Sequence, residues 1–427
     1  MTPPQRTQAP QFTALERLAP IPYTIHNLSN GVPVYAIRAG EQQVLKIDFI
    51  FDSGEYWQKQ PLAASATLNL LAEGSSRFTA EQCAEALDYL GSYVYYNTTK
   101  HSSIVSVYCL EKYFEKSMEI IHDILTTPQF PQQKIDTYIA KKQQQYIIES
   151  KKVEVEAQKK FAKALFGAGH PYGQSAEPDD FLSISGQVVR EYHNTNLQPQ
   201  QCKILISGSY KPEHSTILEH YFGTNNWGNS AEQRKCNQFA MQQHSEQKQY
   251  FERPNAVQTA LRIGKPTINM YHRDYAALQV LNTILGGYFG SRLMSNIRED
   301  KGYTYGIGSG IIPYKETAYF VIASQVKKEI RSEAAEEVYK EIARLRREPV
   351  PVEELETVRN YMLATMARNF DGCFALSDSC KFLLEYDLTN EYYQNYWNTI
   401  RTISANDLQN IANQYFREDS LFEVCVG

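Results

Sequence analysis

One order of elements occurs twice in this chain, and that repetition constrains the fold more than any composition figure. In the first half, VLKIDFIFD from Val44 has the continuous apolar character of a buried strand and QPLAASATLNLLAEG reads as a helix. TAEQCAEALDYLG reads as a second helix, opened by Thr79 with Glu81 and Gln82 in its first turn. The strand-like runs SYVYYNT and SIVSVYCL follow, then the helix EKYFEKSMEIIHDILTT, which Pro128 stops. In the second half, VQTALRIG reads as a strand, RDYAALQVLNTILGG and SRLMSNIRED as helices, YTYGIGSGI and TAYFVIASQV as strands, and EIRSEAAEEVYKEIARLRRE as a helix. A repeated strand, helix, helix, strand, strand, helix unit predicts two similar α+β domains, each a mainly antiparallel sheet with helices packed on one face.

The segment 223–254 is polar, rich in Gln and Asn and without sustained periodicity, so it reads as a linker with room for a short strand near Gln249 and Tyr250. That places a first domain at 1–222 and a second at 255–427. A single long helix is expected from Gln132 to about Lys163, with Ile135, Ile139, Gln143 and Ile147 on one stripe. The 427 residues exceed one hydrophobic core at roughly 150 residues per domain. A net charge of -5 gives no basic excess to hold phosphates, which argues against a nucleic-acid partner. No uncharged run approaches the roughly 18 residues of a membrane span, and the amino terminus lacks a signal-like apolar stretch, so the expectation is a cytoplasmic protein with no membrane partner. Seven scattered cysteines form no Cys-x-x-Cys pair.

The run EDKGYTYGIGSG, preceded by GGYFGSRLMSNIR, resembles the second domain of the pitrilysin or insulinase family of zinc metallopeptidases. Gly286, Gly287, Ser291, Arg292, Leu293, Arg298 and Tyr305 fit that family's pattern. In the first half, AEGSSRFTAEQCAEALDYLGSYVYYNTTKHSS resembles the segment after the family's zinc motif and includes His101; FGAGHPYG and EYHNTNLQPQQCKILISG resemble later landmarks. The resemblance covers nearly the whole chain. It implies a clam-shaped half-shell fold, and it implies that Arg298 and Tyr305 bind substrate near the scissile carbonyl.

The departure from the family is equally specific. The signature His-x-x-Glu-His sets two imidazoles at i and i+4 on one helix face to bind zinc, with the Glu as base. Counting back from Gly74, those places hold Ser65, Leu68 and Asn69. The family's third ligand, a Glu on a later helix, falls within Gln143-Gln144-Gln145-Tyr146, so Gln144 and Gln145 stand where a carboxylate is expected, with Glu149 the nearest acid. No metal is therefore expected on this chain. Of the nine histidines only His214 and His220 lie close together, at a spacing that suits neither a helix face nor alternate strand positions. GIGSG opens no helix, so it is no nucleotide loop; it reads as a small-residue strand that another backbone approaches closely.

Three functions remain open at this level. The resemblance implies first a non-catalytic subunit of a two-subunit zinc peptidase, inactive alone, gripping unfolded peptides while a homologous partner supplies the zinc. The second is a stand-alone peptide-binding or scaffold protein. The third is an autonomous peptidase with an unrecognised metal site. Homodimer and heterodimer are both compatible with the sequence.

Overall fold

The computed structural model describes residues 16–224, 227, 239–241 and 246–427. Most of the predicted linker therefore lies outside the described residues. Strands of the first half are β1 Tyr23–Asn27, β2 Pro33–Arg38, β3 Val44–Phe51, β4 Tyr93–Thr98, β5 Ser103–Leu110 and β6 Cys202–Gly208. Those of the second are β7 Lys248–Phe251, β8 Gln258–Thr267, β9 Ile307–Pro313, β10 Ala318–Lys327 and β11 Phe422–Val426. They form two sheets, ordered β1-β2-β6-β3-β5-β4 and β7-β11-β8-β10-β9. Apart from β1, the two are one pattern. In each, the first strand of the repeat runs parallel to the last, and all other pairings are antiparallel. The internal repeat legible in the sequence is thus a repeat of topology, and it leaves β4 and β9 as corresponding outer strands.

The first-half helices are α1 Ala63–Leu70, α2 Ala80–Tyr89, α3 Phe114–Thr126, α4 Gln132–Glu149, α5 Val153–Phe166, α6 Pro178–Leu182, α7 Gly186–Asn196 and α8 Pro212–Phe222. The second half adds α9 Tyr275–Asn282, α10 Arg331–Arg347, α11 Val352–Arg368, α12 Cys373–Glu385, α13 Asn390–Thr402 and α14 Ala405–Tyr415. Thr79 caps α2 as its sequence suggests: its Oγ1 accepts from the Gln82 amide at 3.3 Å while Gln82 Oε1 accepts from the Thr79 amide at 3.0 Å. Among the described residues no helix is long and apolar enough to cross a membrane.

Strand alternation decides what each sheet face meets. On β3, Leu45, Ile47, Phe49 and Phe51 point to the face covered by the first half's own helices, where they join Leu68, Leu87, Met118 and Leu218. Lys46, Asp48 and Ile50 point the other way, and that face is covered by α12 from the second half. The second sheet reciprocates. Leu261 and Ile263 of β8 face the second half's own helices, whereas Val321, Phe422 and Val424 meet Phe161, Leu165 and Phe166 of α5 from the first half. Each half thus keeps its own helices on one face and lends one helix to the far face of the other sheet.

That exchange also corrects one expectation. The single helix expected from Gln132 to about Lys163 is two helices, broken at Ser150–Lys152. The Arg253 guanidinium donates to the Ser150 carbonyl at 2.9 Å and to Glu156 at 3.0 Å, holding the chain at the bend from which α5 departs onto the second sheet. Ile147, which the spacing sets on one stripe with the buried Ile135, is exposed.

Candidate functional site

The segment that carries Arg298 and Tyr305 begins at α9, whose end widens into a π-helical turn, Thr283–Gly287. A Cβ on Gly286 would lie 2.7 Å from the Ser309 amide nitrogen and 2.6 Å from its Oγ, so only glycine lets this turn press against β9. The small residues of Gly306–Gly310 are the other side of the same close approach, as their sequence implied. A second π-helical turn, Met294–Asp300, carries Arg298. Such wide turns are rare and concentrate at functional sites.

Polar contacts fix this second turn from behind. Arg292, buried, grips Glu354 of α11 through two parallel bonds, Nε to Oε1 at 2.8 Å and Nη2 to Oε2 at 2.7 Å. Asn296 donates to Glu341 at 2.8 Å and to Glu337 at 3.2 Å on α10. Beyond the turn, Thr304 Oγ1 donates to the Gln325 carbonyl at 2.7 Å and accepts from the Gly306 amide at 3.1 Å, which pins the chain on both sides of Tyr305. The predicted pair is thereby held at its base and free at its tip. Tyr305 is 92% exposed. The Arg298 guanidinium lies 4.9 Å from the centre of the Phe289 ring, itself largely exposed. Among the described residues neither side chain makes a hydrogen bond, and no contact joins the two. The motif singles out Arg298 and Tyr305 in the sequence but gives no sign of Glu354, Glu341 and Glu337, which brace the turn from later helices with no spacing signal.

Elsewhere, α1 holds the three residues aligned with the zinc motif. Ser65 Oγ donates to the Leu62 carbonyl at 3.2 Å. Leu68 is buried in the core, and Asn69 turns its amide onto the Ser65 carbonyl at 2.8 Å. On α4, Gln144 is exposed and Gln145 donates to Glu149 at 2.9 Å. A hydroxyl bonded to backbone, a buried alkyl group and amides do not make a zinc donor set. Among the described residues one His and acid cluster has metal-like proximity, formed by Glu111, Glu213 and His214. Lys211 already pairs with Glu111, and the Lys211 amide donates to His214 Nδ1 at 3.0 Å, so its groups are committed to one another.

His101, a landmark of the resemblance, lies at the junction of the two halves. Its Nε2 is 2.9 Å from the Tyr172 hydroxyl and accepts from the Lys315 amide at 3.2 Å. Burial pushes its pKa down to about 4, with the Lys315 ammonium acting in the same direction. Lys315 in turn pairs with Asp52 at 3.0 Å, and the Tyr172 and Tyr314 rings stack at 4.0 Å.

Two mixed sheets related by an internal repeat, with a π-helical turn and an exposed arginine and tyrosine in the second, make up this fold and its candidate site. Residues 183–362 match the family described as the peptidase M16 inactive domain, a span that includes Arg298 and Tyr305 but not α1. The chain is 22% identical over 362 residues to the "Uncharacterized zinc protease YmxG" of Bacillus subtilis, covering 82% of this chain and 85% of that one. A shorter stretch of 158 residues is 25% identical to the "Probable inactive metalloprotease YmfF" of the same organism, covering 36% of this chain and 35% of that one. The fold matches the crystal structure of a peptidase M16 inactive domain from Pseudomonas fluorescens, with a TM-score of 0.84 over 95% of this chain and 98% of that one at 20% identity. It also matches a protease from Helicobacter pylori, with a TM-score of 0.86 over 96% of this chain and 100% of that one at 15% identity. Residues 183–362 of the chain are thus similar to the peptidase M16 inactive domain, and its fold over nearly the whole length is that of the two matched structures.

Proposed function

We propose that this chain is the non-catalytic, substrate-gripping subunit of a two-subunit zinc metallopeptidase that cleaves unfolded peptides, the zinc being held by a homologous partner. The observation that carries this reading is the contrast between the two motif regions. Among the described residues Arg298 and Tyr305 present unused donors outward from a braced turn, while Ser65 and Asn69 spend theirs on nearby backbone carbonyls and Leu68 is buried in the core. Tyr305, 92% exposed, holds its hydroxyl where a ligand can reach it. A peptide carbonyl offers two lone pairs, and a phenol hydroxyl with an arginine fork supplies donors that strengthen as the oxygen gains charge. An extended peptide also suits the architecture, because β4 and β9 are outer strands that pair with no further strand among the described residues.

The test is peptide turnover by the chain mixed with a zinc-motif homologue from the same cell. Arg298→Ala and Tyr305→Phe are each expected to cut turnover on the order of tenfold to a hundredfold while co-elution of the two chains is unchanged. Normal turnover by both variants would refute the role.

A further inference from the structure

Among the described residues, the floor beside Tyr305 contains a cation without a hydrogen-bond or ion-pair partner. A cleft of about 340 Å³ runs between the start of α5 and the open side of the second sheet, lined by Arg262, Gln258, Ser324, Gln325, Tyr305 and Glu154. Arg262 stands on the central strand β8, paired across the ladder with Ala323 on one side and Val424 on the other. Among the described residues its side chain makes no hydrogen bond and no ion pair. The small side chain of Ala323 beside it leaves the cleft open toward β9 and Tyr305. Glu154 is the sole acid of the lining, and it approaches Arg262 only as a charge at longer range.

We propose that this cleft is a carboxylate-binding subsite for the peptide, with Arg262 as its anchor, a reading that rests on the peptide-binding function proposed above. An arginine held on a strand presents a planar fork in fixed geometry, which matches a carboxylate through two parallel bonds. Its partial burial raises the worth of an anion beside it, because a desolvated cation gains more from pairing than a hydrated one. Gln258 and Gln325 offer further amide donors on the same lining. The carboxylate can come from an Asp or Glu side chain of the peptide or from its carboxyl terminus. Glu154 opposes such a ligand, so the cleft selects for one carboxylate rather than an acidic run.

The experiment measures binding of fluorescein-labelled unstructured peptides to the isolated full chain by fluorescence anisotropy. Four peptides share one sequence and differ in a single Glu or Gln and in a free or amidated carboxyl terminus. The wild-type chain is expected to bind a carboxylate form about tenfold more tightly than its neutral counterpart, and the Glu and terminal arms identify which carboxylate is read. Arg262→Gln should abolish that preference while leaving affinity for the neutral peptide intact. Arg262→Lys should keep part of the preference, and Glu154→Gln should enlarge it. Thermal melts of each variant check the fold. Equal binding of carboxylate and neutral peptides by the wild-type chain, or an unchanged preference in Arg262→Gln, would overturn the subsite and leave the peptide-gripping reading standing. Failure to bind any of the four would overturn both.

Discussion

Arg292 and Glu354 form a two-pronged ion pair that ties the start of the Arg298-bearing turn to α11, 62 positions further along the chain. Arg292 is buried, so the pair is worth more through what its loss leaves behind than through its own attraction.

Glu354→Ala is therefore expected to destabilise the chain by about 3 kcal/mol, because it strands a buried guanidinium. Replacing both residues, Arg292→Met with Glu354→Leu, should recover most of that loss. Urea denaturation of the single and double variants checks this. A double variant as unstable as the single one would place the cost elsewhere.

The junction histidine makes stability depend on pH. His101 is neutral when folded, with a pKa of about 4 against 6.5 for an ordinary histidine. Its contribution is complete above pH 6.5 and is lost as pH falls toward 4, where the folded form also begins to protonate, a change of about 3 kcal/mol. Burial lowers His193 and His214 in the same direction, so they steepen the same limb. Urea midpoints between pH 4 and pH 7.5 should fall on acidification, and His101→Gln should flatten the slope. An identical slope in that variant would remove His101 from the account.

The exchanged helices predict that neither half folds by itself. A chain ended at residue 222 lacks α12, which leaves Ile37, Ile50, Ile104 and Leu205 uncovered and Lys46 without the Asp378 carboxylate 2.5 Å away. Such a fragment should bind a hydrophobic dye and melt without a cooperative transition. A sharp melt would contradict the mutual dependence of the halves.

How much of this was legible depended on distance along the chain. Local signals carried far: a continuous apolar run located β3, a strand-like run located β5, and Thr79 with Gln82 marked the start of α2. The motif around Gly286 located Arg298 and Tyr305, and the structure supplies the reason for the glycine in the approach of Ser309. The break at Ser150 was hidden because its cause, Arg253, lies a hundred residues away. Glu354 and Arg262 were hidden for a related reason. One is an ordinary acid on a polar helix, the other an ordinary polar place on a strand, and only the assembled fold gives the first its partner and, among the described residues, leaves the second without one.

The central claim is that the grip is on this chain and the metal chemistry is on another. The most direct measurement compares hydrolysis of an unstructured peptide by this chain alone, by a zinc-motif homologue from the same cell alone, and by the two at equal concentration. The account predicts no turnover by this chain, little by the homologue, and chelator-sensitive turnover by the mixture that saturates at one to one. Turnover by this chain alone, or a mixture no faster than the homologue, would contradict it.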